Sequence, residues 1–402
     1  MDRVQSMDRT EILHRAEALA AVFRENAAQG ERENTVPDAS WLALRESGLL
    51  GLITPPELGG IGADLQTFVD VVRTLARGDA SHGWIASYLM QNSWYSARMG
   101  RTLRDELFDD RGYALVAGSG AARPTNAVER VEGGYRLTGR WSYASGCVQA
   151  EWLTLGGFVD TPEGREMTRF FVPVSDTTIH YDWAMSGMRG TGSHDVSADG
   201  VFVPEHRAVS ESFAALGATK LAASEFDYLL MRYPALQVIL LMHTAFLVGT
   251  AQAAGELFGA AVDRRFHPFS EVQPRDSAVI HAAYGAAMFK VYSALSLLND
   301  GVRLVRTIGD AIGESVDEVT LEDRARLNLC AAGSIRLCVE AVRAIVAEAG
   351  SSVHKEGAAL ARILHDAEVI ASHPTSDWGF STESAGRVLL GKGLGPFDPA
   401  FF

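Results

Sequence analysis

Met185-Ser-Gly-Met-Arg-Gly-Thr-Gly-Ser-His-Asp-Val196, followed by Val201-Phe-Val-Pro-Glu205, reads as a glycine-rich hairpin that feeds a β-strand. Gly187, Gly190 and Gly192 can take the positive φ that tight turns need, and Thr191 and Ser193 place two hydroxyls among them. The same character extends outward. Between about residues 112 and 209, Gly-rich turns separate short β-rich runs, among them Tyr135-Arg-Leu-Thr138, Trp152 to Phe158 and Arg169 to Val174. On either side the period changes. From Thr10 to about Asp110, Ile12, Leu13, Ala16, Leu19, Ala20 and Phe23 recur at three- and four-residue spacing, and Pro37-Asp-Ala-Ser40 starts a second helix. From about Ala214 the helical period returns, with Leu236, Ile239, Leu240, His243, Phe246 and Leu247 on one face. Ala278, Ala282, Gly285, Phe289 and Tyr292 share one face of the helix after it. The expected fold class is α+β: an N-terminal helical domain over 1–113, a central β domain over 114–212 and a C-terminal helical bundle over 213–402.

A chain of 402 residues that is 47% hydrophobic and 21% charged can bury a large core. Its 36 Lys and Arg stand against 50 Asp and Glu, a formal charge of -14. Such a surface repels phosphate backbones and anionic lipid, so neither nucleic acid nor a membrane is an expected partner. Met1 to Thr10 is polar and lacks the apolar core of a signal peptide, and the apolar stretch Tyr233 to Leu247 is broken by Pro234, Gln237, His243 and Thr244. A soluble, cytoplasmic protein is expected. Cys147, Cys330 and Cys338 show no ligand spacing and read as reduced thiols. The tail from Gly391 to Phe402 cannot continue a helix and is expected to dock on its own subunit or on a neighbour.

Several chemistries lose their usual carriers. GxGxxG, GxSxG and HExxH are absent, and Gly386 to Lys392 is followed by Gly393 where a Walker A motif needs Ser or Thr. No nicotinamide module, phosphoryl-transfer loop, hydrolase elbow or zincin site is expected. The eleven histidines are scattered, so no metal is expected either.

The opening segment resembles the β-domain signature of the acyl-CoA dehydrogenase superfamily in residue types, order and the closing Val-Pro-Glu. Leu52-Ile-Thr-Pro-Pro-Glu-Leu-Gly-Gly-Ile-Gly62 resembles that superfamily's Pro-containing strand end running into a Gly-Gly turn. With the α-β-α order the likeness spans nearly the whole chain and implies the acyl-CoA dehydrogenase fold. It also implies that Thr191, Gly192 and Ser193 lie near the isoalloxazine of a flavin.

Two runs select a branch. Gly139-Arg-Trp-Ser-Tyr-Ala-Ser-Gly-Cys147 resembles the GxWxxxSG run of two-component flavin monooxygenases such as the 4-hydroxyphenylacetate, hydroxylated-steroid and indole oxygenases, where dehydrogenases carry Trp-Ile-Thr-Asn. By this resemblance Ser145 sits near flavin N5 and can stabilise a C4a-(hydro)peroxyflavin, with Ser119, Trp141 and Tyr143 as further flavin contacts. Arg362-Ile-Leu-His-Asp366 to His373 resembles the R-x-x-R/H-D-x(6)-H run of the same enzymes. Asp366, Ile370 and His373 fall on one helical face, Pro374 marks the helix end, and His373 is the expected acid or base. Asp377 is a further candidate for the cofactor. In the phenol hydroxylases a second His stands where this chain has Asn92; an amide orients a substrate but does not act as a base. His82 is the candidate to compensate, and Tyr233, Gln237 and Ile239 are candidate pocket walls. No carboxylate stands where a dehydrogenase base belongs.

The resemblance implies a reduced-flavin monooxygenase using FAD as FADH2, with FMN as the alternative, and O2. It implies a separate NAD(P)H flavin reductase, a small aromatic substrate, indole-like or polycyclic, and a homotetramer. Arg264 or Arg265 of one subunit, with Gln273, is a candidate for the pyrophosphate or adenine of a neighbour's cofactor. The alternatives kept open are an FAD-dependent acyl-CoA dehydrogenase and an amino-sugar N-oxygenase of the same branch.

Overall fold

The computed structural model describes residues 7–119, 122–123, 125–162, 164–210, 218–266, 268–311 and 320–396. The described residues open with five α-helices, α1 (Arg9–Glu33), α2 (Asp38–Glu46), α3 (Leu65–Gly78), α4 (Ala80–Ala97) and α5 (Arg101–Leu107). Local chemistry sets their ends. The Asp8 and Asp64 carboxylates accept from the backbone N–H groups of Glu11 and Thr67, which caps α1 and α3, and Asn34 closes α1 in the left-handed region at φ 53°. Asp79 ends α3 and caps α4 by accepting from the His82 N–H at 3.0 Å. The Pro-Gly segment over 52–62 differs from its expected strand end: it follows the 3₁₀ turn Leu49–Gly51 and contains a second, Pro56–Leu58, closed by Gly59 at φ 82°.

Among the described residues eight strands follow: β1 (Val116–Ser119), β2 (Ala127–Val131), β3 (Gly134–Trp141), β4 (Trp152–Thr161), β5 (Gly164–Pro173), β6 (Thr178–Ile179), β7 (Val196–Pro204) and β8 (Ala208–Ser210). They form two four-stranded sheets ordered β1-β4-β5-β8 and β2-β3-β7-β6, antiparallel except for the β1/β4 pair. Trp141 joins the sheets. Its indole is 1% exposed and donates to the Gly156 carbonyl at 2.6 Å, so the sequence's candidate flavin contact is a core residue.

The helices then resume with α6 (Ala218–Glu225), α7 (Ala235–Val262), α8 (Ala278–Ala311), α9 (Leu321–Ala347), α10 (Ala359–Ala371) and α11 (Trp378–Leu389). Helix α7 is apolar over most of its length because most of it is buried, with the exposed Glu256 and Leu257 in its last two turns. It approaches α3 so closely that a Cβ on Gly249 would stand 2.2 Å from the Arg73 carbonyl oxygen. Helix α8 packs inward through Ala287, Val291, Ala294, Leu298, Val302 and Val305. The stripe picked out by sequence faces outward instead, with Phe289 70% and Tyr292 60% exposed. One contiguous core runs through all three regions. The α-β-α order over this core is the mixed α+β architecture that the resemblance implied.

The thiols of Cys147, Cys330 and Cys338 are free. The expected docking of the terminal Phe residues lies outside the described residues.

Candidate active site

Helix α4 carries Trp84, Tyr88 and Asn92 at four-residue steps, which aligns them on one face. Trp84 is the centre of an aromatic cluster. Its ring stacks on Tyr88 at 6.2 Å, meets Phe246 edge-on at 5.3 Å, and lies 4.9 Å from His243 and 6.1 Å from His373, all between ring centroids. His243 comes from α7 and His373 from the turn after α10, where its N–H closes the helix on the Ile370 carbonyl at 3.0 Å. The two imidazoles touch edge to face with centroids 5.0 Å apart.

The other half of the site comes from the β domain. Trp84 Nε1 donates to Ser145 Oγ at 3.3 Å, Ser145 Oγ lies 2.8 Å from Ser193 Oγ, and Ser193 Oγ lies 2.8 Å from Thr191 Oγ1. The Thr191 hydroxyl donates to the Met188 carbonyl at 2.7 Å. Thr191 and Ser193 are buried, so Ser145 is the member of this chain nearest solvent. Beside it Tyr143, at φ 61°, exposes its ring and leans edge-on against Trp183. The Ser145 carbonyl accepts from the Gly118 N–H, and the Gly118 carbonyl accepts from the Tyr88 hydroxyl at 3.0 Å, which brings the end of β1 and the buried Ser119 alongside.

The loop and the helix are locked together. The Asp366 carboxyl of α10 accepts from the Met188 N–H at 2.5 Å, and a Cβ on Gly187 would stand 2.3 Å from the His365 backbone, so only glycine lets the loop lie this close. Met188 itself sits at φ 53°. Burial, with Asp79 and Glu31 nearby, pushes the Asp366 carboxyl up to about 8, partly offset by the Met188 N–H and by Arg362. Burial takes the His373 imidazole down to about 4 and His243 well below its ordinary value, helped there by His373. Both rings are therefore neutral near pH 7. The Asn92 amide lies within reach of the Tyr88 hydroxyl, and Asp366 Oδ2 is buried without a hydrogen-bond partner.

Residues 8–101 match the profile of the acyl-CoA dehydrogenase N-terminal domain, and residues 241–378 match that of the C-terminal domain. A pigment production hydroxylase of Rhodococcus sp. is 31% identical over 385 residues, 95% of this chain and 97% of its own. The chain belongs to the acyl-CoA dehydrogenase family, in its branch of flavin-dependent oxygenases. An FADH2-dependent resorcinol hydroxylase, oxygenase component, of Rhizobium sp. is 27% identical to this oxygenase over 393 residues, 96% of each chain. The structure of XiaF from Streptomyces sp. in complex with FADH2 and glycerol superposes with a TM-score of 0.86 at 26% identity, covering 97% of this chain and 96% of that one.

The oxygenase fits a flavin on its own evidence: a half-buried serine hydroxyl at the end of a hydrogen-bonded chain and an exposed aromatic ring beside it. Ser145 and His373, found by motif, meet through Trp84. Gly192, at φ 53°, shapes the turn between Thr191 and Ser193. Asp377 caps α11 by accepting from the Phe380 N–H at 2.6 Å and lies close after His373 in sequence.

Other candidates belong elsewhere. His82, two residues from Trp84, projects from the opposite side of α4. It packs edge-on against Phe23 at 5.4 Å, with Gly30 and Asp79 beside it, so it is a core residue of the helical domain. Tyr233 is 2% exposed, its ring is pressed on Gly309 of α8, and its carbonyl accepts from Arg98. Gln237 is buried more than a helical turn from His243 and off its face, whereas Ile239 stands four residues before His243 and shares its face. Arg265 binds the Glu348 carbonyl and lies over Phe258, which ties α7 to the end of α9. Sequence reasoning missed His243 and the central role of Trp84. The available signal was a histidine inside an otherwise apolar helix, a position that demands a partner.

Proposed function

We propose that the chain is the oxygenase component of a two-component system. It takes reduced FAD from a separate NAD(P)H-dependent reductase and uses O2 to hydroxylate an electron-rich aromatic ring, phenolic, indole-like or polycyclic. The observation that carries this reading is the junction at Trp84, where a serine hydroxyl from the β domain and two neutral imidazoles from the helical bundle converge on one indole. The FADH2 named for the resorcinol hydroxylase and the XiaF structure supports the reduced cofactor.

Reduced flavin, when bound, activates dioxygen and supplies the oxygen atom that is transferred. Ser145 holds the reactive edge of the ring system by a hydrogen bond, and Tyr143, Ser119, Gly192 and Asp377 are the further residues assigned to the cofactor. Trp84, Tyr88 and Phe246 exclude water from the reacting face. Neutral His373 accepts the proton of a substrate hydroxyl or ring N–H, and a neutral imidazole is the form able to do so. The Asn92 amide orients the substrate, and His243 backs the ring of His373. The exposed apolar stripe of α8, with Phe289 and Tyr292, supports assembly into a homotetramer. A cytoplasmic location follows from the same reading.

The test is a single turnover with chemically reduced FAD, isotopically labelled dioxygen and a panel of phenols and indoles, read by mass spectrometry. One labelled oxygen atom in an aromatic product is expected. Quantitative peroxide with no labelled product from any member overturns the reading.

A further inference from the structure

Helix α4 runs from Ala80 to Ala97 without an Asp, Glu, Lys or Arg, and α7 runs from Ala235 to Gly255 without one. These two helices bring Trp84, Tyr88, Asn92, His243 and Phe246 to the candidate site, and His373 joins them from the end of α10. All six side chains are uncharged near pH 7: burial holds both imidazoles neutral and raises the Tyr88 hydroxyl above its ordinary range. The ionised groups around the cluster are turned to other partners. Arg362 of α10 reaches Glu31 at 3.4 Å and Asp79 at 3.7 Å. Arg98 stands about 20 Å along α4 from Trp84 and donates to the Tyr233 carbonyl. Arg169 of β5 lies over the ring of Tyr95 at 5.6 Å, beyond Asn92 along α4, and is already engaged. Among the described residues, none of these guanidinium groups is left for a bound anion. The formal charge of -14 repels anions on approach as well.

We propose that this site takes its aromatic substrate only in uncharged form, so that neutral phenols, indoles and polycyclic rings are hydroxylated while the same ring carrying a carboxylate is refused. The inference rests on the oxygenase reading above and deepens it by naming the charge of the substrate. A carboxylate entering the cluster would lose its water and meet indole, phenol, phenyl and neutral imidazole rings, none of which supplies a counter-charge. The two histidines could become cations only inside a buried ring contact, with centroids 5.0 Å apart. The acid's remaining way in is to take up a proton. With an ordinary value of about 4.3, roughly one carboxyl in five hundred is neutral at pH 7. Discrimination against the acid is therefore on the order of a hundredfold or more at neutral pH, and it changes about tenfold with each pH unit.

The experiment sets matched pairs in competition, each pair alike in shape and different in charge: 4-hydroxyphenylacetamide against 4-hydroxyphenylacetate, and indole-3-acetamide against indole-3-acetate. The full-length wild-type protein is given chemically reduced FAD, labelled dioxygen and an equimolar pair, and the two labelled products are counted by mass spectrometry at pH 6, 7 and 8. The amide product should exceed the acid product by about a hundredfold or more at pH 7. Because only the protonated acid enters, that excess should grow about tenfold from pH 6 to 7 and again from 7 to 8, while the amide yield stays flat. The pH slope separates charge from shape, since a steric preference for the amide would not depend on pH. Comparable yields from both members of a pair, an excess of acid product, or an amide preference that does not move between pH 6 and 8 overturns the proposal. Absence of labelled product from both amides, and from neutral phenol and indole run beside them, contradicts the oxygenase reading itself, and this inference with it.

Discussion

His243 of α7 and His373 after α10 meet edge to face with ring centroids 5.0 Å apart, and both rings pack on the indole of Trp84. Sharing one wall does not give them one role. His373 is mostly buried but keeps some exposure and packs on the indole that donates to Ser145, whereas His243 is 4% exposed. His373→Gln should lower hydroxylation by about 10²–10⁴-fold, the range of a lost general base. Oxidation of the bound flavin should continue, with the missing product appearing as peroxide. His243→Phe, which keeps the aromatic packing, should cause a smaller loss of the same kind. Product formed per flavin oxidised measures both.

The pH dependence follows from burial. His373 titrates at about 4 in the folded protein against an ordinary 6.5, so between these values the unfolded chain binds the proton and the native site does not. The stability contributed by the neutral ring is present above 6.5 and is lost as the pH falls toward 4. Hydroxylation yield should therefore be flat from pH 6 to 8 and fall on acidification toward pH 4. Single-turnover yields across that range check this; a half-point near 6.5 would mean that His373 is not buried as described.

Asp366 gives the opposite sign. Its carboxyl, held neutral to about 8 by burial beside Asp79 and Glu31, accepts the Met188 N–H while Arg362 stands close by. Stability from this group is present below the ordinary carboxylate range and is lost as the pH rises through about 8. Asp366→Asn keeps an acceptor for Met188 and cannot ionise, so its melting temperature relative to wild type should rise between pH 6 and 9. Asp366→Ala should be less stable at every pH in this range, by about 1–3 kcal/mol for the orphaned Met188 N–H. Thermal melts of the three proteins at several pH values decide it.

The outward stripe of α8 predicts an assembly. Phe289→Glu combined with Tyr292→Glu should leave the melting of the subunit core intact, because neither side chain is buried, yet shift the particle to a smaller mass. Light scattering after size exclusion reads that mass. An unchanged mass would remove α8 from the interface.

How far the site could be read in advance depended on whether its parts were local. The Met185–Glu205 run and the Ser145 run are each contiguous, so their glycines and hydroxyls announced the loop and the chain behind it. The spacing of Asp366, Ile370 and His373 likewise fixed one face of α10 and its end. What escaped was tertiary. Helix α7 is apolar over most of its length, so its period could not tell the His243 face from the Tyr233 and Gln237 positions. The stripe of helix α8 was legible as a face but not as an outward one, because periodicity names a face and not its partner. Trp141 and His82 carried residue types suited to a site, but their neighbours, Gly156 and Phe23, lie on other strands and helices.

The central claim is that Ser145, Trp84 and His373 form one flavin oxygenase site, and it is tested most directly by mixing the protein with reduced FAD and then with oxygenated buffer while absorbance is followed. The account predicts a transient spectrum distinct from both reduced and oxidised flavin, shortened in Ser145→Ala. Direct conversion of reduced to oxidised flavin at the rate of free flavin, identical in wild type and Ser145→Ala, would contradict it.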